Sequence, residues 1–391
     1  MDPVSTRRRA DELAHYGGFI SLSEDPGSGS GPLVAIKDNV DVAGMVTTAG
    51  GRHLPAAPAE TDAPIVAAVK SAGGHIVGKA NMHEYAFGVT NDNPHYGFAR
   101  NPWDPQRVPG GSSGGSAVVV ALKLCDWAVG TDTGGSVRIP AGLCGVVGMK
   151  PTTSSLSIEG IFPLAESLDV PGPMARDVRT AALGLEMLSG GGSFDPGEPH
   201  DWRPSLAVPA GWEEGLDEAT DAVWHEVTRG LPRIEFPALK ELEDAFQPII
   251  FAEATSYHLE WLRERPELYG DDVRKTLELG FKVPGAGYLW ALRQRQRLRD
   301  AVEAAIGSYD AVLVPNTAIV APSIGEPHVR EKLLRFTRPF SMSEHPVITV
   351  PGPSPGLPVG IQVVGHHGED AALLKVASAL EARWGTRDAP A

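Results

Sequence analysis

At 391 residues, 42% of them hydrophobic and 21% charged, the chain is long enough to bury a large core as one big or two modest domains. Its formal net charge of −15 argues against a polyanion as the main partner, because nucleic-acid binders carry a basic footprint. Two cysteines, Cys125 and Cys144, build no disulfide framework, and twelve histidines without an HExxH or HxH cluster suggest no metal site.

The first stretch, MDPVSTRRRADELAHYGG, has three arginines but no apolar run behind them, so it does not read as a secretory signal. No window reaches the run of about 18 apolar residues that spans a bilayer, and a reducing, cytoplasmic setting is expected. LVAI (33–36) reads as a short apolar strand ending at Lys37. TDAPIVAAVKSAGG (61–74) reads as a helix capped by Thr61 or Asp62, with Pro64 in its first turn and Gly73 at its end. HIVG (75–78) follows as a strand, and GGSAVVVALKL (114–124) as a small-residue helix after a glycine-rich turn. CDWAVG (125–130) and GVVGMK (145–150) read as strands, and RDVRTAALGLEMLSG (176–190) as an amphipathic helix capped by Asp177. From about 195 to 305, charged patterns such as DEATDAVWHEVTRGL and YLWALRQRQRLRDAVEAAIGSYD predict a helical cover. AVLVP (311–315), PVITVP (346–351) and PVGIQVVG (358–365) restore the strand pattern, and EDAALLKVASALEARWG closes with a helix. Apolar strands alternating with helices predict an α/β fold around a largely buried sheet, in one domain.

Three local motifs fail on their context. GGHIVGKA (73–80) approaches a phosphate-binding loop, but Ala80 replaces the hydroxyl and a strand occupies the loop itself, leaving a surface lysine. DTG (132–134) looks like half of an aspartic-protease site, yet no second copy exists. GGSSG (110–114) matches the nucleophile elbow, but the proline-rich NPWDPQRVPG before it is a loop rather than a strand.

A set of three pieces fits together better: VAIKDN (34–39), GGSSGGS (110–116) and GTDTGGSVRIP (130–140). After two glycines, the amides of Thr133, Gly134, Gly135 and Ser136 can converge on one anion. Ser136 needs a base, and none of the pieces contains a histidine. Lys37 is available, provided that burial beside hydroxyls lowers its pKa from about 10.4 toward about 7–8. Ser112 can take the proton from Ser136 and pass it to the lysine.

These pieces resemble the amidase signature hydrolases, with 75 residues from Lys37 to Ser112 and 24 from Ser112 to Ser136. The resemblance continues through NPHYGFARNPWDP, AGLCGVVGMKPT, SLDVPGPMARDV and the closing PVGIQVVGHHGEDAALLKVASALE. It covers nearly the whole chain except the helical middle. It implies a single α/β domain over 1–391, with a mostly buried mixed β-sheet covered by helices on both faces. The catalytic core would occupy about 30–190 and 308–391, and a variable helical segment about 195–305. It also implies Ser136 as nucleophile, Ser112 as a bridging serine on a cis peptide after Gly111, and Lys37 as base. Ser113 would support Lys37 or Ser136, and Asp132 would pair with Arg138 to brace the nest. Cys144 reads as a small core residue. No cofactor and no metal are implied.

The family also holds the glutaminase subunit of the tRNA-dependent amidotransferase. Here KPTTSSLSIEG lacks the arginines and tyrosines that this glutaminase carries after its KPT, and the segment before Lys37 is shorter than usual. Both departures favour a free-standing hydrolase of small amides, with no nucleic acid or membrane as partner and a homodimer left open. ESLDVPGP gives a weak likeness to plant-type indole-3-acetamide hydrolases, and an allophanate or carboxybiuret hydrolase is a further alternative. Trp261, Tyr269, Phe281, Tyr288 and Trp290 are candidates to wall the acyl pocket, or equally to pack the helical cover.

Overall fold

The computed structural model describes residues 3–24, 30–198, 202–385 and 387–390. A strand that is apolar at every position has no solvent face, so it belongs inside a sheet with both faces covered. Among the described residues, eleven strands form that sheet: β1 (Phe19–Leu22), β2 (Leu33–Lys37), β3 (His75–Ala80), β4 (Trp127–Asp132), β5 (Val147–Lys150), β6 (Val170–Ala175), β7 (Leu206–Pro209), β8 (Arg233–Ile234), β9 (Ala311–Pro315), β10 (Val347–Pro351) and β11 (Gly360–Val364). Their order is β1-β3-β2-β4-β6-β5-β10-β11-β9-β7-β8. The sheet is mixed. β2 runs parallel to β3 and β4, β7 parallel to β8 and β9, and the other pairs are antiparallel.

Period-two alternation divides the central strands β2 and β4 between two cores. Val34, Ile36, Trp127 and Val129 face the helices Pro64–Ser71, Val178–Leu188 and Asp370–Trp384. Leu33, Ala35 and Ala128 face the small-residue helix Gly114–Ala121 and the helix Arg138–Cys144. Because β2 and β4 are parallel, with Ile36 beside Val129, Lys37 and Asp132 emerge at the same edge of the sheet. This edge, at the carboxyl ends of the two strands, is where α/β folds place their ligands.

Several expectations need correcting. The first predicted helix runs Pro64–Ser71 with no side-chain cap. Asp62 instead accepts from the Ala43 amide at 2.8 Å and from Lys70 Nζ at 2.7 Å. Gly73 does mark the end of this turn, at φ 88°. Asp177 caps Val178–Leu188 as expected, accepting from the Thr180 amide. Lys79 is no surface lysine: it is fully buried and sits 3.1 Å from Asp38. β6 was not expected, because Pro171 and Pro173 lie in a central strand, where a missing N–H argues against pairing. The predicted helical cover also supplies two strands, β7 and β8, that extend the sheet beyond β9; its residues 199–201 lie outside those described. Among the described residues, no helix is long and apolar enough to cross a membrane.

Candidate active site

Lys37 ends a strand of five buried residues, and its own side chain is fully buried. Its Nζ donates to Ser112 Oγ at 2.8 Å, to Thr131 Oγ1 at 2.8 Å and to the Thr131 carbonyl at 3.3 Å. Neutral oxygens do little to favour an ammonium over an amine, so desolvation dominates. Burial lowers the lysine pKa to about 7, while the charges of Asp169 and Asp132 pull it partway back. Asn39 holds the Thr131 hydroxyl from the other side at 3.3 Å. Thr131 was not singled out in the sequence, since threonine in a strand usually signals only β-propensity.

The glycine-rich turn supplies the second element. The Gly111–Ser112 peptide is cis, and the Ser112 carbonyl accepts from the His83 amide at 3.1 Å. Ser113 does not reach Lys37 or the Ser136 hydroxyl. Its Oγ donates to the Thr131 carbonyl at 3.2 Å and accepts from the Thr131 amide at 3.3 Å, while its own amide donates to the Ser136 carbonyl at 3.1 Å. Ser113 thus positions Thr131, which in turn holds the lysine.

The third element follows β4. Asp132 and Arg138 are both fully buried, with Arg138 Nη2 2.7 Å and Nε 3.0 Å from the two carboxylate oxygens. The same carboxylate accepts from the Val137 amide at 3.0 Å, closing a ring around residues 133–136. Burial alone would push the Asp132 carboxyl up, but Arg138, Lys150 and the Val137 amide hold it below its ordinary value. Among the described residues, the amides of Gly134, Gly135 and Ser136 donate to no protein acceptor. Thr133 turns its hydroxyl to Asp169, a buried carboxylate that also accepts from the Leu164 amide at 2.8 Å. Burial raises Asp169 to about 6 against these hydrogen bonds and the Lys37 charge. It is a second group that sequence reasoning missed, although a lone acid inside the apolar SLDVPGP is a visible signal.

Gly135 has φ +134°, and a Cβ there would lie 2.3 Å from Thr337 Oγ1, which itself donates to the Gly134 carbonyl at 2.6 Å. Gly135→Ala should therefore distort the nest, with an expected loss of about 10²-fold or more in kcat. Turnover and Tm measured together test this; full activity in a folded variant would remove the nest from the site.

Ser136 Oγ has no hydrogen bond among the described residues and opens into a pocket. Its walls are Phe87, Val89, Leu164, Phe246, Ile250 and Leu334, together with Arg330 and Arg338. None of the five aromatics expected there lines it. Trp261 and Tyr269 pack with His53, Tyr85 and His258, Tyr288 donates to Glu253 at 3.0 Å, and Phe281 and Trp290 are exposed. The wall comes instead from the helix Leu239–Tyr257 and from residues 86–89. Cys144 is buried and gives its thiol to the Pro109 carbonyl at 3.4 Å, and burial pushes its pKa up. Among the described residues, no group of three or more His, Cys, Asp or Glu could hold a metal ion.

The amidase family profile matches residues 8–227 and 231–374. The chain belongs to the amidase family. A glutamyl-tRNA(Gln) amidotransferase subunit from Methanococcoides burtonii is 34% identical over 410 residues, which cover 91% of this chain and 86% of that protein. A crystal structure described as an amidase superposes with a TM-score of 0.91 at 33% identity, covering 98% of this chain and 97% of that one. The structure of the corresponding amidotransferase subunit from Thermotoga maritima gives 0.85 at 33% identity, covering 97% and 90%. This amidase is accordingly an enzyme acting on amide C–N bonds, and its mixed sheet with helices on both faces is the family architecture.

Proposed function

We propose that this amidase is a free-standing, cytoplasmic hydrolase that cleaves the carboxamide bond of small amides through an acyl-Ser136 intermediate. The observation that carries the reading is the 2.8 Å contact from a fully buried Lys37 to Ser112 Oγ, with hydroxyls and a carbonyl as the lysine's only hydrogen-bond partners among the described residues. A lysine held near neutral pH can accept a proton that an ordinary surface lysine cannot. Ser136 attacks the carbonyl as its proton passes through Ser112 to Lys37. The free amides of Gly134, Gly135 and Ser136 receive the oxyanion, with Thr133 braced by Asp169. Ser112 then returns the proton to the leaving ammonia, and water repeats the path to release the acid. The Ser136–Ser112 contact is assigned to the substrate complex, since catalytic hydrogen bonds often tighten only there. In this scheme residues 30–190 and 308–391 form the catalytic core, and 195–305 supply the variable wall.

The 34% identity to an amidotransferase subunit favours one other reading, a glutaminase that works with partner subunits. The purified chain alone decides between them. It should release ammonia from small amides, and a fluorophosphonate should label Ser136, with both lost in Ser136→Ala. Hydrolysis restricted to glutamine, and dependent on partner subunits and tRNA, would establish the other reading; labelling at Ser112 would change the nucleophile.

A further inference from the structure

The pocket that holds Ser136 contains a cation that no hydrogen-bonded acid neutralises among the described residues. Of its two arginines, Arg338 is committed: it reaches Glu243 at 2.8 Å and Glu331 at 2.7 and 3.0 Å. Arg330 has no hydrogen bond and no ion pair among the described residues. Its guanidinium lies over the Phe87 ring, 5.6 Å from the centroid. Burial and the nearby Arg338 charge both disfavour its charged form, and the charges of Asp272 and Glu331 compensate only in part.

A half-buried guanidinium without an ion-pair partner carries a desolvation cost that a bound anion would offset. Five N–H donors in a planar fork are built to meet a carboxylate, and the cation–π approach to Phe87 uses none of them. The remaining walls are mainly apolar: Phe87, Val89, Leu164, Phe246, Ile250 and Leu334. One pocket thus brings together a nucleophile, hydrocarbon surface and a positive charge that has no ion-pair partner among the described residues.

We propose that Arg330 binds a carboxylate carried by the acyl group, making the preferred substrate the monoamide of a short dicarboxylic acid. This rests on the acyl-Ser136 reading. The reaction is −OOC–R–CO–NH2 + H2O giving −OOC–R–COO− and NH4+: the C–N bond breaks, and a C–O bond to the water oxygen forms. The distal carboxylate stays unchanged throughout. Its role is to set the register of the carbonyl over Ser136.

Succinamate, glutaramate and adipamate compared with their diamides provide the test, because each pair differs only in the distal charge. A charge-assisted hydrogen bond predicts that kcat/KM for the best monoamide exceeds that for its diamide by about 10- to 150-fold. In Arg330→Gln that ratio should fall to about threefold or less, and Arg330→Lys should recover part of it as a point charge without the fork. A wild-type ratio near one, or an unchanged ratio in Arg330→Gln, overturns the proposal, and the wild-type ratio decides even if the variant fails to fold. Calorimetric binding of glutarate to Ser136→Ala is the second arm, since it needs no turnover. Arg330-dependent binding there, with no ammonia from any amide in the wild type, would sustain the carboxylate site and reject the acyl-serine reading. No glutarate binding together with rapid diamide hydrolysis would do the reverse.

Discussion

Arginine in place of Lys37 should lower kcat/KM by about 10²- to 10⁴-fold, the range expected for loss of an acid–base group, and as severely as alanine should. Arginine keeps a cation beside Ser112 but cannot give up its proton in the working range. The wild-type acid limb of kcat/KM should lie near pH 7, where burial places the lysine pKa. The sign follows from the chemistry: the ammonium form cannot accept a proton, so activity falls about tenfold per pH unit below that limb. Asp169 raises the Lys37 pKa, so Asp169→Asn should move the limb to lower pH. Lys37→Arg retaining more than about a tenth of wild-type turnover would mean that another group accepts the proton. Neither nearby histidine is well suited. Burial holds His83 down at about 3, and His95 is engaged with Glu84 at 2.9 Å.

The parts of this site that were legible in the sequence share one property: each sits in a contiguous motif whose residue types serve little other purpose. Lys37 at the end of LVAI is costly in a buried strand, and GGSSGG and DTGGS are too rich in glycine for ordinary elements. The Asp132–Arg138 pair lies within one short motif. The missing parts depend on contacts between distant segments. Thr131 becomes a ligand of the lysine only because β2 and β4 are neighbours. Asp169 matters only because β6 brings it beside Thr133, and the prolines of β6 hid that strand. Pocket walls are harder still, because Phe87, Phe246 and Arg330 come from three separated segments. The aromatics of the helical middle gave no sign of which ones turn inward. Trp261 and Phe246 look alike in a list of apolar residues, and tertiary packing alone separates them.

The largest expected loss of stability belongs to Arg138. Its guanidinium donates to Asp132 through Nη2 and Nε, to the Thr337 carbonyl at 2.7 Å, to Gln362 Oε1 at 3.0 Å and to Ser341 Oγ at 3.0 Å. Arg138→Met leaves the Asp132 charge buried without its ion-pair partner, which typically costs about 3–5 kcal/mol. In the wild type, Arg138 overrides burial and holds the Asp132 pKa low, so its contribution is present above the ordinary carboxylate pKa and lost as pH falls through the lower folded value. Without Arg138, burial acts unopposed by that charge and the carboxyl pKa rises. The deficit of Arg138→Met relative to wild type should therefore shrink as the pH falls toward about 4. Removing both charges in Asp132→Asn/Arg138→Met should cost less than the sum of the single changes, since no buried charge is then left unpaired. Thermal unfolding of the four proteins at two pH values measures all of this. Because Asp132 and Arg138 bracket residues 133–136, the double variant should fold better than Arg138→Met and still turn over poorly. Strict additivity, or an Arg138→Met cost below about 1 kcal/mol, roughly a fivefold change in the folding equilibrium, would show that the pair is not what holds the nest.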